Sequence, residues 1–167
     1  MERITLETLL RSRDRRAGHQ QKLLQAYPGL TLLCVTVVMP GPVKRTEGTL
    51  VIGRAAMAAL RKEQDLLYEE TDDLETGFEG YAVTALPSVE AKRLAVRLEE
   101  THPLGRLFDI DVIRPDGEPM PREAVGSGPR KCLLCDRDAR FCMRNHTHSY
   151  QELLSKIDEL LGFYAKS

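Results

Sequence analysis

The sequence predicts an α+β fold, layered as in α/β proteins: a small mixed sheet with helices packed on it, in a single unit spanning residues 1–167. Three observations carry this. Short β-rich runs alternate with stretches of helical periodicity. A chain of 167 residues can bury a real core. No internal repeat or low-complexity linker divides it.

Thr5 can cap a first helix, with Leu6, Leu9, Leu10, Leu23 and Leu24 at helical spacing. Between them Arg11, Arg13, Arg15 and Arg16 crowd two turns; a solvated helix face is their plain explanation. "LTLLCVTVV" (30–38) is a nearly continuous apolar run, suited to a central strand covered on both faces. Pro40, Gly41 and Pro42 stop it and stiffen the turn that presents Lys44. "TLVI" (49–52) is expected as a short strand, then "GRAAMAALRKEQDLL" as an alanine-rich helix. "EETDDLETG" (69–77) carries five carboxylates and is expected as a solvated loop. "YAVTAL" (81–86) is the next strand, and Ser88 caps a helix with Ala91, Leu94, Ala95 and Leu98 on one stripe. "LFDIDVI" (107–113) is a further strand, and the Asp-Gly pair in "RPDGEPMP" predicts a hairpin after it. Ser149 and Glu152 have capping-box spacing and open the last helix.

The formal net charge of −1 gives no basic footprint for nucleic acid, and with aromatics at 5% stacking platforms are scarce. No apolar run approaches the ~20 residues of a membrane span. The start, "MERITLETLLRSRDRR", is charged from its second residue and lacks a signal-peptide core. A cytoplasmic protein is expected, with cysteines kept reduced.

Strand alternation sends Phe108, Ile110 and Val112 to one face and Asp109 and Asp111 to the other. The two carboxylates then have Cβ atoms roughly 6.5–7 Å apart. Like charges so close need water or cations. A hard ion such as Mg²⁺ takes one or two carboxylates plus phosphate oxygens, as in nucleotidyl-transfer enzymes, so the fold expected is nucleotidyltransferase-like. An edge strand facing water carries such a pair without function as well. Arg106, three residues before Asp109, is placed to hold a phosphate or to pair with a carboxylate.

Residues 130–148, "RKCLLCDRDARFCMRNHTH", hold three of the four cysteines. Cys132 and Cys135 have the Cys-x2-Cys bite for one Zn²⁺, and Cys142 and His148 complete a Cys₃His tetrahedron, with His146 as the competing fourth ligand. Reduced thiols without metal are the alternative. Four protein ligands leave no open position, so such a zinc staples structure and does not catalyse. Cys34, within the first strand, is most simply a buried core thiol.

The succession "HPLGRLFDIDVI", "RKCLLC" and "CMRNHTH" resembles the holo-citrate-lyase synthases, also called apo-citrate lyase phosphoribosyl-dephospho-CoA transferases. "RSRDRRAGHQQKLL", "MPGPVK" and "ETG" near residue 77 are similar to segments of the same family, so the resemblance covers nearly the whole chain. It implies transfer of a phosphoribosyl-dephospho-CoA group from 2'-(5''-triphosphoribosyl)-3'-dephospho-CoA to a serine of the citrate lyase acyl carrier protein, its gamma subunit, with pyrophosphate leaving. The family pattern favours His148 over His146. Joined to the spacing, the resemblance implies Asp109 and Asp111 as Mg²⁺ ligands and catalytic carboxylates. Lys44 and Arg106 become phosphate clamps, and Arg13 and Arg16 reach for phosphate or the acidic carrier. Two alternatives differ: a zinc-knuckle module binding RNA or a protein partner, and a nucleotidyltransferase acting on another acceptor.

Overall fold

The computed structural model describes residues 2–167. Its sheet has four strands, β1 (Thr31–Val37), β2 (Tyr68–Leu74), β3 (Gly77–Thr84) and β4 (Phe108–Ile113), in the order β2-β3-β1-β4. Helices α1 (Leu6–Ala26), α2 (Glu47–Glu63), α3 (Ser88–Thr101), α4 (Ala139–Asn145) and α5 (Tyr150–Ala165) complete the elements. The fold is therefore α+β, and every strand pairing is antiparallel rather than mixed.

β1 is central, and its alternation sorts the two sides of the molecule. Leu33 and Val35 join a large core with Ile52, Met57 and Leu60 of α2, Ala91 and Leu94 of α3, and Ile157 of α5. Leu32 and Cys34 face the other way, into a small cluster with Leu23, Tyr81, Val83 and Ile113 beneath α1.

The expected strand at 49–52 is instead the first turn of α2. Thr46 accepts a hydrogen bond from the Thr49 N–H at 3.0 Å, and the buried positions 49, 52, 53, 56, 57 and 60 recur at helical spacing. Here the cap and the period outweigh the β-propensity of four residues. Gly53 lets α2 close on β3, since a Cβ there would lie 2.2 Å from the Phe78 ring.

The expected acidic loop is strand β2, an edge strand paired with β3 from Tyr68 with Val83 to Leu74 with Gly77. Three of its four carboxylates are tied across the fold: Glu69 to Arg61 at 2.5 Å, Asp73 to Arg45 at 3.1 Å, and Glu70 to the His19 ring. A charged edge also resists pairing with another chain. β3 accordingly begins at Gly77, four residues before the expected start.

After β4 the Asp-Gly turn forms as expected, with Gly117 at φ +88° and its N–H bonded to the Arg114 carbonyl at 2.8 Å. Its return limb makes one bridge, Ile113 with Pro119, and no strand. Pro119 and Pro121 have no N–H to continue a ladder. The open edge of β4 is instead covered by α3, where the buried Glu99 accepts the Ile110 N–H at 3.0 Å.

At α1 the cap is Thr5, but Leu6 and Leu10 are exposed, and the helix seats itself through Ser12 and Leu23. Ser149 and Glu152 form the capping box of α5. Among the described residues no helix is long and apolar enough to cross a membrane.

Candidate active site

β4 deals its residues as the alternation requires. Phe108, Ile110 and Val112 are buried in the large core, whereas Asp109 and Asp111 keep contact with solvent on the α1 side. Register brings Thr36 opposite Asp109 and Cys34 opposite Asp111. Thr36 Oγ1 donates to Asp109 Oδ2 at 3.1 Å, while Arg130 Nη1 stands 3.4 Å from Oδ1. Asp111 has no such partner among the described residues. Protein crowds its carboxylate without closing it off, and this desolvation, reinforced by the Asp109 charge, pushes its pKa up to about 6. Lys92 and Arg16 pull in the other direction and do not prevail. A carboxylate raised by its neighbour's negative charge marks a site short of positive charge.

A third carboxylate stands on the same face. Glu79 of β3 is 2% exposed and points, like Tyr81 two residues on, toward α1. Arg15 donates to its Oε1 at 2.7 Å, Arg16 approaches at 3.4 Å, and the Tyr81 hydroxyl donates to Oε2 at 2.8 Å. Burial alone would raise the Glu79 pKa, but these donors hold it below the usual carboxylate range. Sequence reasoning missed both Glu79 and Arg15. The signal was there: an acid between Phe78 and Gly80, in register with the apolar alternation that follows it.

The expected clamps separate. Arg16 is half-buried against Glu79, and its charge reaches Asp111. Arg13 is exposed and makes no ion pair among the described residues. Lys44 is half-buried, and its Nζ donates to the Met39 carbonyl, tying the Pro-Gly-Pro turn to itself. Burial lowers its pKa. Arg106 donates to the Cys132 carbonyl rather than to Asp109 or Asp111. Of the four, the structure brings only Arg16 within influence of the aspartates through space. Arg130, which the sequence did not single out, is the guanidinium beside Asp109.

The Cys/His stretch closes on itself. One ligand atom each from Cys132, Cys135, Cys142 and His148 lies within 4.8 Å of all the others. Cys135 Sγ is 3.5 Å from Cys142 Sγ and 3.4 Å from His148 Nε2. A tetrahedron with Zn–S bonds of about 2.3 Å needs ligand separations of roughly 3.5–3.8 Å, so this set fits a four-coordinate ion. Burial raises the Cys132 thiol, but the Leu134 and Cys135 N–H groups aimed at its sulfur outweigh this and hold it lower. His146 is exposed at the left-handed C-cap of α4, with φ +47°, and belongs to the turn rather than the cluster. Cys34 is buried in β1, where desolvation drives its pKa upward and keeps it a neutral thiol.

Comparison with known proteins gives one consistent answer. The family model described as apo-citrate lyase phosphoribosyl-dephospho-CoA transferase matches residues 4–164. Proteins named apo-citrate lyase phosphoribosyl-dephospho-CoA transferase from Shigella boydii serotype 18 and Escherichia coli O157:H7 are 39% identical over 164 residues, covering 95% of this chain and 89% of the relative. A protein from Escherichia coli K12, named a probable transferase of the same kind, matches with the same identity and coverage.

Proposed function

The chain belongs to the apo-citrate lyase phosphoribosyl-dephospho-CoA transferase family, and on that premise we propose that it carries out the transfer at Asp109 and Asp111. The group would pass from the triphosphoribosyl-dephospho-CoA donor to a serine hydroxyl of the acyl carrier protein, the gamma subunit of citrate lyase, with pyrophosphate leaving. The observation that carries this assignment is the pair itself: two carboxylates on one face of β4, one of them left without a counter-cation and raised in pKa.

Hard carboxylate oxygens with unmet negative charge fit Mg²⁺, and Asp109 and Asp111 would hold it. When bound, the ion supplies polarisation of the phosphoryl group and neutralisation of the leaving pyrophosphate. The side chains do the rest. Thr36 fixes Oδ2 of Asp109, while Arg130 stands at Oδ1. Asp109 or Asp111 would accept the serine proton, directly or through water. Arg16, steadied by Glu79, and Arg130 supply fixed positive charge on either side of the aspartates. Lys44 and Arg13 take no part in this arrangement.

The Cys₃His cluster fits Zn²⁺ as a structural clasp, which suits the reducing conditions of the cytoplasm. Purified protein is expected to carry zinc by elemental analysis. Cys132→Ser should lose it and melt earlier.

Intact mass spectrometry of the apo carrier, incubated with protein, donor and Mg²⁺, tests the proposal. A carrier heavier by the phosphoribosyl-dephospho-CoA group on a serine, with pyrophosphate released in equal amount, is the expected result. An unmodified carrier would sink it and return the arginines to the reading as a zinc-bearing binding module.

A further inference from the structure

Beside Asp109 lies a cavity of about 360 Å³, and its lining is unusually cationic. Arg106, Arg122, Arg130 and Lys131 face Glu99 and Glu100 across it. Both carboxylates are already claimed, since Arg122 bonds Glu99 at 2.8 Å and Glu100 at 3.1 Å. Four cations against two carboxylates leave two positive charges in excess. Lys131 is exposed and has no ion-pair partner among the described residues.

Arg130 is built into position. Its Nη2 donates to the Phe108 carbonyl at 2.6 Å and to the Arg106 carbonyl at 3.2 Å, and its Nη1 lies 3.4 Å from Asp109 and 3.9 Å from Glu99. Its own carbonyl accepts the Ala139 N–H at 2.8 Å, and the neighbouring Lys131 forms a bridge with Asp138. These two contacts, with Cys132 N–H on the Arg137 carbonyl, close the loop that carries Cys132 and Cys135. The Cys/His clasp thus sets both cationic residues at the cavity, with Arg130 reaching Asp109.

This placement poses a problem that a ligand would resolve. A guanidinium on one oxygen of Asp109 opposes any divalent cation approaching the same carboxylate. An anion lying between them would accommodate both positive charges. A polyphosphate does this, accepting a planar guanidinium on one phosphoryl group and metal on the next.

Resting on the transferase reading above, we propose that this cavity seats the donor's pyrophosphate end, with Arg130 shared between Asp109 and the leaving phosphates and Lys131 at the outer phosphate. The clasp then serves the reaction by holding those two residues, not merely by stabilising the chain.

Inorganic pyrophosphate is the probe. It is titrated calorimetrically, with Mg²⁺ present, into the full chain and into Arg130→Gln, Lys131→Gln and Arg97→Gln. Arg97 pairs with Glu63 on exposed helix surface, away from the cavity. Wild type should bind; Arg130→Gln should weaken binding about tenfold or more, and Lys131→Gln by a few-fold. Arg97→Gln should match wild type. Pyrophosphate binding that is absent in wild type, or indifferent to Arg130 and Lys131, overturns the proposal. If Arg130→Gln does not fold, Lys131→Gln, an exposed substitution, decides alone. Carrier modification by wild type is weighed separately. Modification alongside pyrophosphate binding that ignores these residues keeps the transferase and removes this seat. Its absence removes the transferase reading itself, whatever the cavity binds.

Discussion

The two faces of the sheet are made from the same strands and do different work. Toward α2, α3 and α5, alternate residues of β1, β3 and β4 are Leu33, Val35, Ala82, Phe108 and Ile110, all buried among apolar neighbours. Toward α1, the other alternates begin apolar with Leu32, Cys34 and Tyr81 and end charged, with Glu79, Asp109 and Asp111. One face is a filled core. The other is a core at one end and a site at the other. A period of two allows this: a strand can spend one set of residues on stability and the other on chemistry without moving its backbone.

The contrast is broken most severely at the aspartates. Asp109→Asn and Asp111→Asn should each slow carrier modification by roughly 10³-fold, about what losing several kcal/mol of charge stabilisation implies. Asp111→Asn should not lower the melting temperature, because it relieves the like-charge contact with Asp109. Leu33→Ala does the reverse. It empties a fully buried position and should cost about 2–5 kcal/mol in denaturant unfolding, with the rate per folded molecule unchanged.

Glu79→Gln probes the boundary between the two ends. It strands Arg15 and Arg16 beside a neutral amide, and because Arg15 is about half-exposed the cost should be only about 1–3 kcal/mol. The pH response sharpens this. Glu79 has a folded pKa below its ordinary 4.5, so its contribution is complete above pH 4.5 and is lost as pH falls through the lower folded value. The melting temperature of Glu79→Gln should therefore fall less steeply than that of wild type on acidification below pH 4.5. Parallel melting curves would mean that Glu79 does not carry the buried charge. Smallest is the comparison of two arginines three residues apart. Arg16→Gln should slow transfer several-fold, while Arg13→Gln should change it less than about twofold.

What the sequence disclosed follows the same division. The alternation of "FDIDVI" was readable because each residue type agrees with its face, and the Cys/His cluster because its spacing alone delivers the ligands. β2 was unreadable because "YEETDDL" has the composition of a loop; it is a strand through its ladder with β3, and its charges are met by Arg61, Arg45 and His19 from elsewhere in the chain. "TLVI" misled for the opposite reason, since its apolar residues suit a strand until Thr46 caps them into α2. Arg13 and Arg16 are equivalent as letters and differ only once Ser12 fixes which side of α1 meets the sheet. Arg130 and Glu79 gain meaning from partners 21 and 64 residues distant in sequence, Asp109 and Arg15 respectively. Neither pairing leaves a local pattern.

The dependence of transfer on magnesium is the most direct test of the aspartate pair as the reaction centre. The rate of carrier modification is to be followed against Mg²⁺ concentration for wild type and for Asp109→Asn. A wild-type rate that vanishes when Mg²⁺ is omitted and saturates as it is added, with the variant requiring far more Mg²⁺ for any residual rate, is the predicted result. A wild-type rate indifferent to Mg²⁺, or an identical requirement in both proteins, would contradict it.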